Sequence, residues 1–244
     1  MISFMNTKTI HLDKTPSTQK YAKENVKQFD PNEITCITAE EQTDGIGRFK
    51  RTWISPKGNI YATFYFSLPK NTMHLISLAQ IMTLTCAELL LSKGLSPQIK
   101  WPNDILMSGK KCVGVLCETS FSKEFVDIFL GIGINVNMKK EDVSQIDKPA
   151  TSLMIETKKE WDKKELLTHL QKEFSKNLDR FKKEGFTPFY SRFENLMINL
   201  GEKITCTDGK NQWRGLCHSL TNDGQLNLCL ENGEMKTISS GEIN

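Results

Sequence analysis

The stretch Ile60-Tyr61-Ala62-Thr63-Phe64-Tyr65-Phe66-Ser67-Leu68 decides the fold class. Ile60, Ala62, Phe64, Phe66 and Leu68 share one face, and Tyr61, Thr63, Tyr65 and Ser67 share the other. A strand with two chemically distinct faces favours a mostly antiparallel sheet. Residues 75–91 form the most apolar run of the chain, yet the run contains Gln80 and Glu88 and stops at Gly94. A buried helix covering the strand suits it better than a membrane span. Upstream, strands are expected at residues 9–12 and 34–38. Between them Thr15 caps a helix with Pro16 at its first position, running to about Val26. Downstream, one strand ends at Ile99-Lys100, and two more occupy residues 112–118 and 125–135.

Beyond Asp142 the chain turns rich in lysine and glutamate. Residues 160–183 carry Leu166, Leu170, Phe174, Leu178 and Phe181 at helical spacing, the pattern of an amphipathic helix with a solvated face. From Gly201 short strands at 202–207, 212–219, 225–230 and 234–238 alternate with Asp208-Gly209, Asp223-Gly224 and Asn232-Gly233 turns. Such hairpin signals indicate a small β-barrel or meander. No low-complexity linker precedes it, so the two modules are expected to pack directly, as residues 1–198 and 199–244. A chain of 244 residues has room for one sizeable core and one small module.

A net charge of +3 is too small for a general nucleic-acid binder or a membrane-surface protein. The seven cysteines are odd in number and show no C-x-x-C spacing, and the four histidines lie far apart. No local metal cluster is therefore expected, and a reducing cytoplasm explains the free thiols most simply. The N-terminus lacks the apolar core and cleavage site of a signal peptide.

Four segments carry candidate chemistry. In Gln42-Thr43-Asp44-Gly45-Ile46-Gly47-Arg48-Phe49-Lys50-Arg51-Thr52-Trp53, two glycines admit backbone N–H groups close to an anion and three cations add charge. A basic glycine loop is also often a solvated turn. Lys100-Trp101-Pro102-Asn103-Asp104 joins a proline turn to side chains that hold hydrogen bonds or a cation, or merely cap the turn. In Lys111-Cys112-Val113-Gly114 a lysine stands at the start of a strand that a glycine interrupts. In Gly131-Ile132-Gly133-Ile134-Asn135 alternating glycines bare one strand face, either for a flat ligand or for close strand packing. The last segment lacks the third glycine and following helix of a dinucleotide fingerprint.

In this order, with Ser17-Thr18 ahead of them, these motifs resemble the biotin–protein ligases, also called biotin–[acetyl-CoA-carboxylase] ligases. The likeness runs from about Thr9 to Leu153, with an echo at Gly241-Glu242-Ile243. It implies an α+β fold: a class II aminoacyl-tRNA-synthetase-like, biotin–lipoate ligase catalytic domain with a mixed, largely antiparallel sheet and helices. A small C-terminal SH3-like β-barrel follows. It also implies ATP-dependent activation of biotin as biotinyl-5'-AMP, with Mg²⁺, and transfer to a lysine of a biotin carboxyl carrier protein. Carried over, Ser17, Thr18 and Gln42 bond the ureido region of biotin. Gly45 approaches through its backbone, Trp53 walls the pocket, and Gly114 and Gly131 leave room for the bicyclic ring. Arg48 retains the adenylate, and Lys111 touches the reacting carboxylate and phosphate. Arg51, Asn103, Asp104, Asn135 and Ser152 fall at the nucleotide, with Thr151-Ser152-Leu153 along the adenine. No residue is assigned as a metal ligand.

Three departures stand out: Ile46 where the family usually has arginine, Lys50 where it has glycine, and Gln19 where it has asparagine. The alternatives are a lipoate–protein ligase of the same superfamily and a non-enzymatic nucleic-acid-binding module. No operator-specific DNA binding and no membrane association are expected, and a homodimer is possible.

Overall fold

The computed structural model describes residues 6–72 and 74–243. Residues 1–5, part of the stretch read as lacking a signal peptide, lie outside the described residues. The chain runs β1 (Thr7–Thr15), α1 (Thr18–Glu24), β2 (Ile34–Gln42), β3 (Ile60–Pro69), α2 (Leu78–Ser92), β4 (Gln98–Lys100), β5 (Asp104–Met107), β6 (Lys110–Phe121) and β7 (Phe125–Ile134). Then come α3 (Lys140–Val143), α4 (Leu153–Thr157), α5 (Lys163–Glu184), α6 (Tyr190–Glu194), β8 (Lys203–Thr207), β9 (Gln212–Leu220), β10 (Leu226–Leu230), β11 (Met235–Ile238) and β12 (Glu242–Ile243).

The first seven strands form one sheet in the order β1-β2-β3-β7-β6-β5-β4. Only β1 and β2 pair in parallel. β3, third in that order, has both faces covered. Ile60, Ala62, Phe64, Phe66 and Leu68 enter the main core with α2 and α5. Tyr65 joins Ala22, Ile37 and Phe129 in a second cluster under α1. The two faces predicted from alternation are therefore real, and their chemistry differs because one faces helices and the other faces α1 and a cleft.

The helix at Leu75–Ser92 is long and apolar enough to cross a membrane, but most of it is buried inside the protein. Its neighbour α5 begins at Asp162, whose carboxylate accepts from the Lys164 and Glu165 amides. α5 drops Phe174 against Phe64, ring centroids 5.3 Å apart. Burying five such side chains contributes roughly 1.5–3 kcal/mol each.

Thr15 does not cap α1. It closes β1, paired with Gln42, and its carbonyl accepts from the Thr43 amide. Ser17 is the N-cap and Pro16 lies outside the helix, because the parallel ladder with β2 holds the chain extended through Thr15. The hairpin β4–β5 adds a strand, Asp104–Met107, that the sequence reading did not separate.

The second sheet runs β11-β10-β9-β8-β12, all antiparallel. It docks on the first through the Asp223-Gly224 turn. The Gly224 carbonyl accepts from Gln80 Nε2 at 2.6 Å and from the Trp101 indole at 3.0 Å, and the Asp223 carbonyl accepts from Ser77 Oγ. Gly224 has φ +80, and a Cβ there would lie 2.2 Å from Gln80 Oε1, so glycine is needed for both the turn and the docking.

Candidate active site

A cleft of about 800 Å³ opens on the face of β3, β7 and β6 opposite the main core. Its lining holds Arg48, Lys50, Arg51, Lys100, Lys111 and Lys148 against Asp104, Asp147 and Glu242. Twice as many cations as carboxylates suits an anionic occupant.

At one end the loop after β2 folds back on itself. The Trp53 amide donates to the Gly45 carbonyl at 2.8 Å, and a Cβ on Gly45 would meet the Trp53 carbonyl oxygen at 2.4 Å. Gly45 therefore serves the loop's own closure rather than lining the cleft. Phe49 and Lys50 sit at φ 56 and 58. This left-handed region costs a side-chain-bearing residue roughly 1–2 kcal/mol, a cost that the glycine expected at the position of Lys50 would not carry. Arg48 turns inward. Its Nη1 donates to Asn103 Oδ1 and to the Gly241 carbonyl, each at 3.0 Å, and its Nη2 to Ser240 Oγ at 3.2 Å. Burial lowers its pKa while Asp104 and Glu242 oppose the shift, and it stays cationic. Arg51 grips Glu242 through both nitrogens, at 2.7 and 2.5 Å, and Lys148 adds a third contact at 3.1 Å. The Arg51 hydrogen bonds hold the Glu242 carboxyl down at about 2.

Lys111 reaches the cleft because β6 is bulged. Register against β5 runs Ile105–Val113 and then Leu106–Lys111, skipping Cys112. Cys112 and Val113 both enter the core, so Lys111 and Gly114 share the cleft face although three positions apart. Lys111 Cε would lie 3.1 Å from a Cβ on Gly114. Its Nζ meets Asp104 Oδ1 at 2.6 Å and stands 5.3 Å from the centre of the Trp53 ring. The Lys111 backbone is held by Pro149 and Thr151 on the neighbouring segment. Asn103 clamps the arrangement, donating to the Val115 carbonyl while accepting from Arg48.

The glycine shelf receives the protein's own groups. A Cβ on Gly133 would lie 2.6 Å from Trp53 Cε2, one on Gly114 2.8 Å from Trp53 Cζ3, and one on Gly131 2.8 Å from Gln19 Oε1. The space expected at Gly114 and Gly131 for a bicyclic ring thus seats the indole and a carboxamide, which become cleft walls themselves. At this end Gln42 Oε1 accepts from the Thr18 amide at 2.9 Å, and its Nε2 donates to Ser55 Oγ. Ser17 lines the cleft, and its hydroxyl makes no capping bond.

Ser17, Thr18, Gln42, Arg48, Arg51, Trp53, Asn103, Asp104, Lys111, Gly114, Gly131 and Asn135 all line this one cleft. Asn135 donates to the Thr151 carbonyl, and its buried Oδ1 has no partner among the described residues. The Ser152 side chain is not brought there. It is fully buried, caps α4 by accepting from the Ile155 amide and donates to the Met138 carbonyl. A serine ahead of a short helix has its hydroxyl consumed as the cap, and Ala150 of the same segment lines the cleft instead. Sequence reasoning did not single out Thr63, Lys148 or Glu242 as site residues. Thr63 was visible only as a polar residue on the second face of β3. Glu242 belonged to the C-terminal echo with no indication of its partner.

The description Biotin/lipoate A/B protein ligase family matches residues 12–135. The bifunctional ligase/repressor BirA of Bacillus spizizenii is 32% identical over 245 residues, covering 98% of this chain and 74% of its own length. A biotin–[acetyl-CoA-carboxylase] ligase of Paracoccus denitrificans is 30% identical over 199 residues, covering 79% of this chain and 82% of its own. Among solved structures, the biotin protein ligase of Aquifex aeolicus in complex with biotin and ATP superposes with a TM-score of 0.81 at 35% identity, over 97% of both chains. The ordered motifs, the seven-stranded sheet with its bulged lysine strand and these likenesses agree: the chain belongs to the biotin/lipoate A/B protein ligase family.

Proposed function

We propose that the protein activates biotin with ATP and transfers it to a lysine of a carrier protein. One observation carries this reading: Arg48 and Lys111, 63 residues apart in the chain, face one cleft and are fastened to the adjacent residues Asn103 and Asp104. In the first step a biotin carboxylate oxygen attacks the α-phosphorus of ATP, the bond to the β-phosphate breaks and pyrophosphate leaves. Two anions must approach, and fixed cations in a low-dielectric cleft offset that repulsion without reorganising. Lys111 holds the reacting carboxylate and phosphate, and Arg48 and Arg51 hold the nucleotide. In the second step the carrier amine attacks the acyl carbon, AMP departs and the nitrogen loses a proton.

The ion that accompanies ATP fits the donor set. Among the described residues no group of three or more His, Cys, Asp and Glu forms a protein-only cage. Asp104 nevertheless lines the nucleotide end, and one or two carboxylates plus substrate phosphates is the usual Mg²⁺ arrangement. Such an ion neutralises phosphate charge.

The hydroxyl and carboxamide groups at the Thr18 end favour biotin over lipoate, because a dithiolane ring offers them no hydrogen-bond donor. The carrier is inferred to be the biotin domain of a carboxylase. We also propose a cytoplasmic location, consistent with seven free thiols. Absence of operator-specific DNA binding is likewise proposed and is tested by footprinting. Homodimerisation is tested by sedimentation.

Mass spectrometry of a carboxylase biotin domain incubated with the protein, ATP, Mg²⁺ and either acid tests the main reading. A gain of one biotinyl group on a single lysine is expected. A lipoyl adduct, or no adduct, refutes it.

A further inference from the structure

At the end of the cleft away from the cations, three buried side chains form a chain whose proton positions follow from their partners. Gln19 Nε2 faces the Phe129 carbonyl at 2.8 Å and Glu118 Oε2 at 3.0 Å. Both are pure acceptors, so this end of the carboxamide must be the NH₂ group and its oxygen must point the other way. That oxygen lies 3.1 Å from Thr63 Oγ1. A carboxamide oxygen cannot donate, so the single proton of Thr63 is spent on it. Thr63 Oγ1 also lies 2.9 Å from Thr18 Oγ1. With the Thr63 proton committed, Thr18 must donate in that contact. Gln42 Oε1 accepts from the Thr18 amide at 2.9 Å and, with its second lone pair, offers the Thr18 hydroxyl proton a longer alternative at 3.2 Å.

The Thr18 hydroxyl therefore has its proton turned inward and only lone pairs left for an occupant of the cleft. Thr18, Gln19 and Thr63 are all buried, Thr63 completely, and bulk water does not compete for these bonds.

We propose that Thr63 is a positioning residue for substrate selection: through the relay Thr18→Thr63→Gln19, anchored on Glu118 and the Phe129 carbonyl, it fixes the Thr18 hydroxyl as an acceptor. The pocket end thereby selects an acid whose distal ring presents an N–H, such as a cyclic urea, over one that presents only acceptors or nothing polar. This rests on biotin being the acid activated. It adds a residue of the cleft wall that touches no reacting atom and acts on the acid through Thr18. Gln19, one methylene longer than the usual asparagine, reaches across the Gly131 position to complete the relay.

The test compares wild type, T63V and T63S in pyrophosphate release, with biotin and with biotin methylated on one ureido nitrogen. Valine keeps the volume and removes the hydroxyl, leaving Gln19 without its donor and the Thr18 proton held only by its longer contact to Gln42 Oε1, from which it can turn outward. A buried hydrogen bond of this kind is worth about tenfold to a hundredfold. T63V should raise the biotin KM by about that factor, with kcat at saturation and the ATP KM near wild type. It should also narrow the preference for biotin over the methylated analogue. T63S should restore both to within about threefold. Q19L, which removes the acceptor of the Thr63 proton from the other side, should shift KM in the same direction and serves if T63V does not fold. An unchanged biotin KM in T63V, a T63S protein as impaired as T63V, or a loss confined to kcat overturns the relay. A wild-type protein that releases no pyrophosphate with biotin overturns the ligase reading first and removes this proposal with it.

Discussion

Gly133→Ala is the sharpest test of how the cleft is built. The added Cβ would lie 2.6 Å from both Cε2 and Nε1 of Trp53, whereas carbon contacts settle near 3.5–4.0 Å. Something must move by about 1 Å. The strand cannot, because Gly133 is paired to Tyr61 on β3 and to Gly114 on β6. The half-buried indole yields instead, sliding off Gly114 and away from Lys111 into the space of the ligand. Overpacking costs 1–3 kcal/mol where nothing can give, so a mobile indole should limit the stability loss to about 1 kcal/mol. The displaced wall should raise the biotin KM about tenfold, equivalent to about 1.4 kcal/mol. Pyrophosphate release gives KM, and urea melts give stability. The decisive measurement is the double-mutant cycle with Trp53→Ala: once the indole is gone the extra methyl meets nothing, so G133A should be nearly silent in that background. A penalty in W53A equal to that in wild type, within about 0.5 kcal/mol, would refute the stacking of Trp53 on the shelf.

Three further expectations follow from the same geometry. Lys111→Ala should slow adenylate formation by about 10²–10³-fold, the scale of removing one pre-aimed donor from developing charge. Its side chain is only partly buried, so the urea midpoint should hardly move; normal pyrophosphate release would take Lys111 away from the reacting atoms. Glu242→Gln should flatten the acid limb of stability. The carboxyl is held at about 2, chiefly by Arg51, against 4.5 when free, so its contribution is complete above about 4.5 and is lost as pH falls toward 2. That depression corresponds to roughly 3 kcal/mol, which screening at the cleft rim should cut to about 1 kcal/mol. Urea melts from pH 5 down to 2.5 should show wild type converging on E242Q, and parallel curves would contradict the ion pair. Phe174→Ala, emptying the space between Phe64, Phe66 and α5, should cost about 3–5 kcal/mol; a loss under 1 kcal/mol by denaturant melt would mean that the core there is not filled as described.

Local pattern revealed the sheet and the ingredients of the site. Alternation at Ile60–Leu68 predicted a strand whose two faces have different neighbours, and the strand forms over Ile60–Pro69, because side-chain direction in an extended chain follows from parity alone. What it could not give was parity broken on purpose. Lys111 and Gly114 should face opposite sides of a regular strand, and only the skipped register at Cys112 unites them. The adjacent apolar pair Cys112-Val113 at the head of an otherwise alternating strand was the available sign of that bulge. Thr15 was read as the cap of α1, whereas Ser17 holds that place, because a parallel partner whose register the local sequence does not encode keeps the chain extended through Thr15. Ser152 shows the converse: a motif match placed it at the nucleotide, while the more local chemistry of a helix N-cap claimed its hydroxyl.

The largest gap between sequence and structure lies at the nucleotide end, for a physical reason. Arg48 has three acceptors. Asn103 lies in the β4–β5 turn of the first sheet, but Ser240 and the Gly241 carbonyl come from the segment entering β12 of the second, more than 190 residues from Arg48. Arg51 is likewise oriented by Glu242. A long basic side chain carries about 2 kcal/mol of rotamer entropy, and holding two of them inside an electropositive cleft also works against their mutual repulsion. The small β module supplies a carbonyl, a hydroxyl and a carboxylate at the points where these costs arise. It does so from a strand end fixed by its ladder with β8, while the Gly224 turn holds the same module against Trp101 of the Asn103-Asp104 hairpin. The module is thus clamped to both the arginine loop and the hairpin that receives it, so the separation of these two cation-bearing segments is set by the second sheet as well as by the first. A site so arranged cannot be assigned to one domain, even though every residue expected to touch biotin lies in the first.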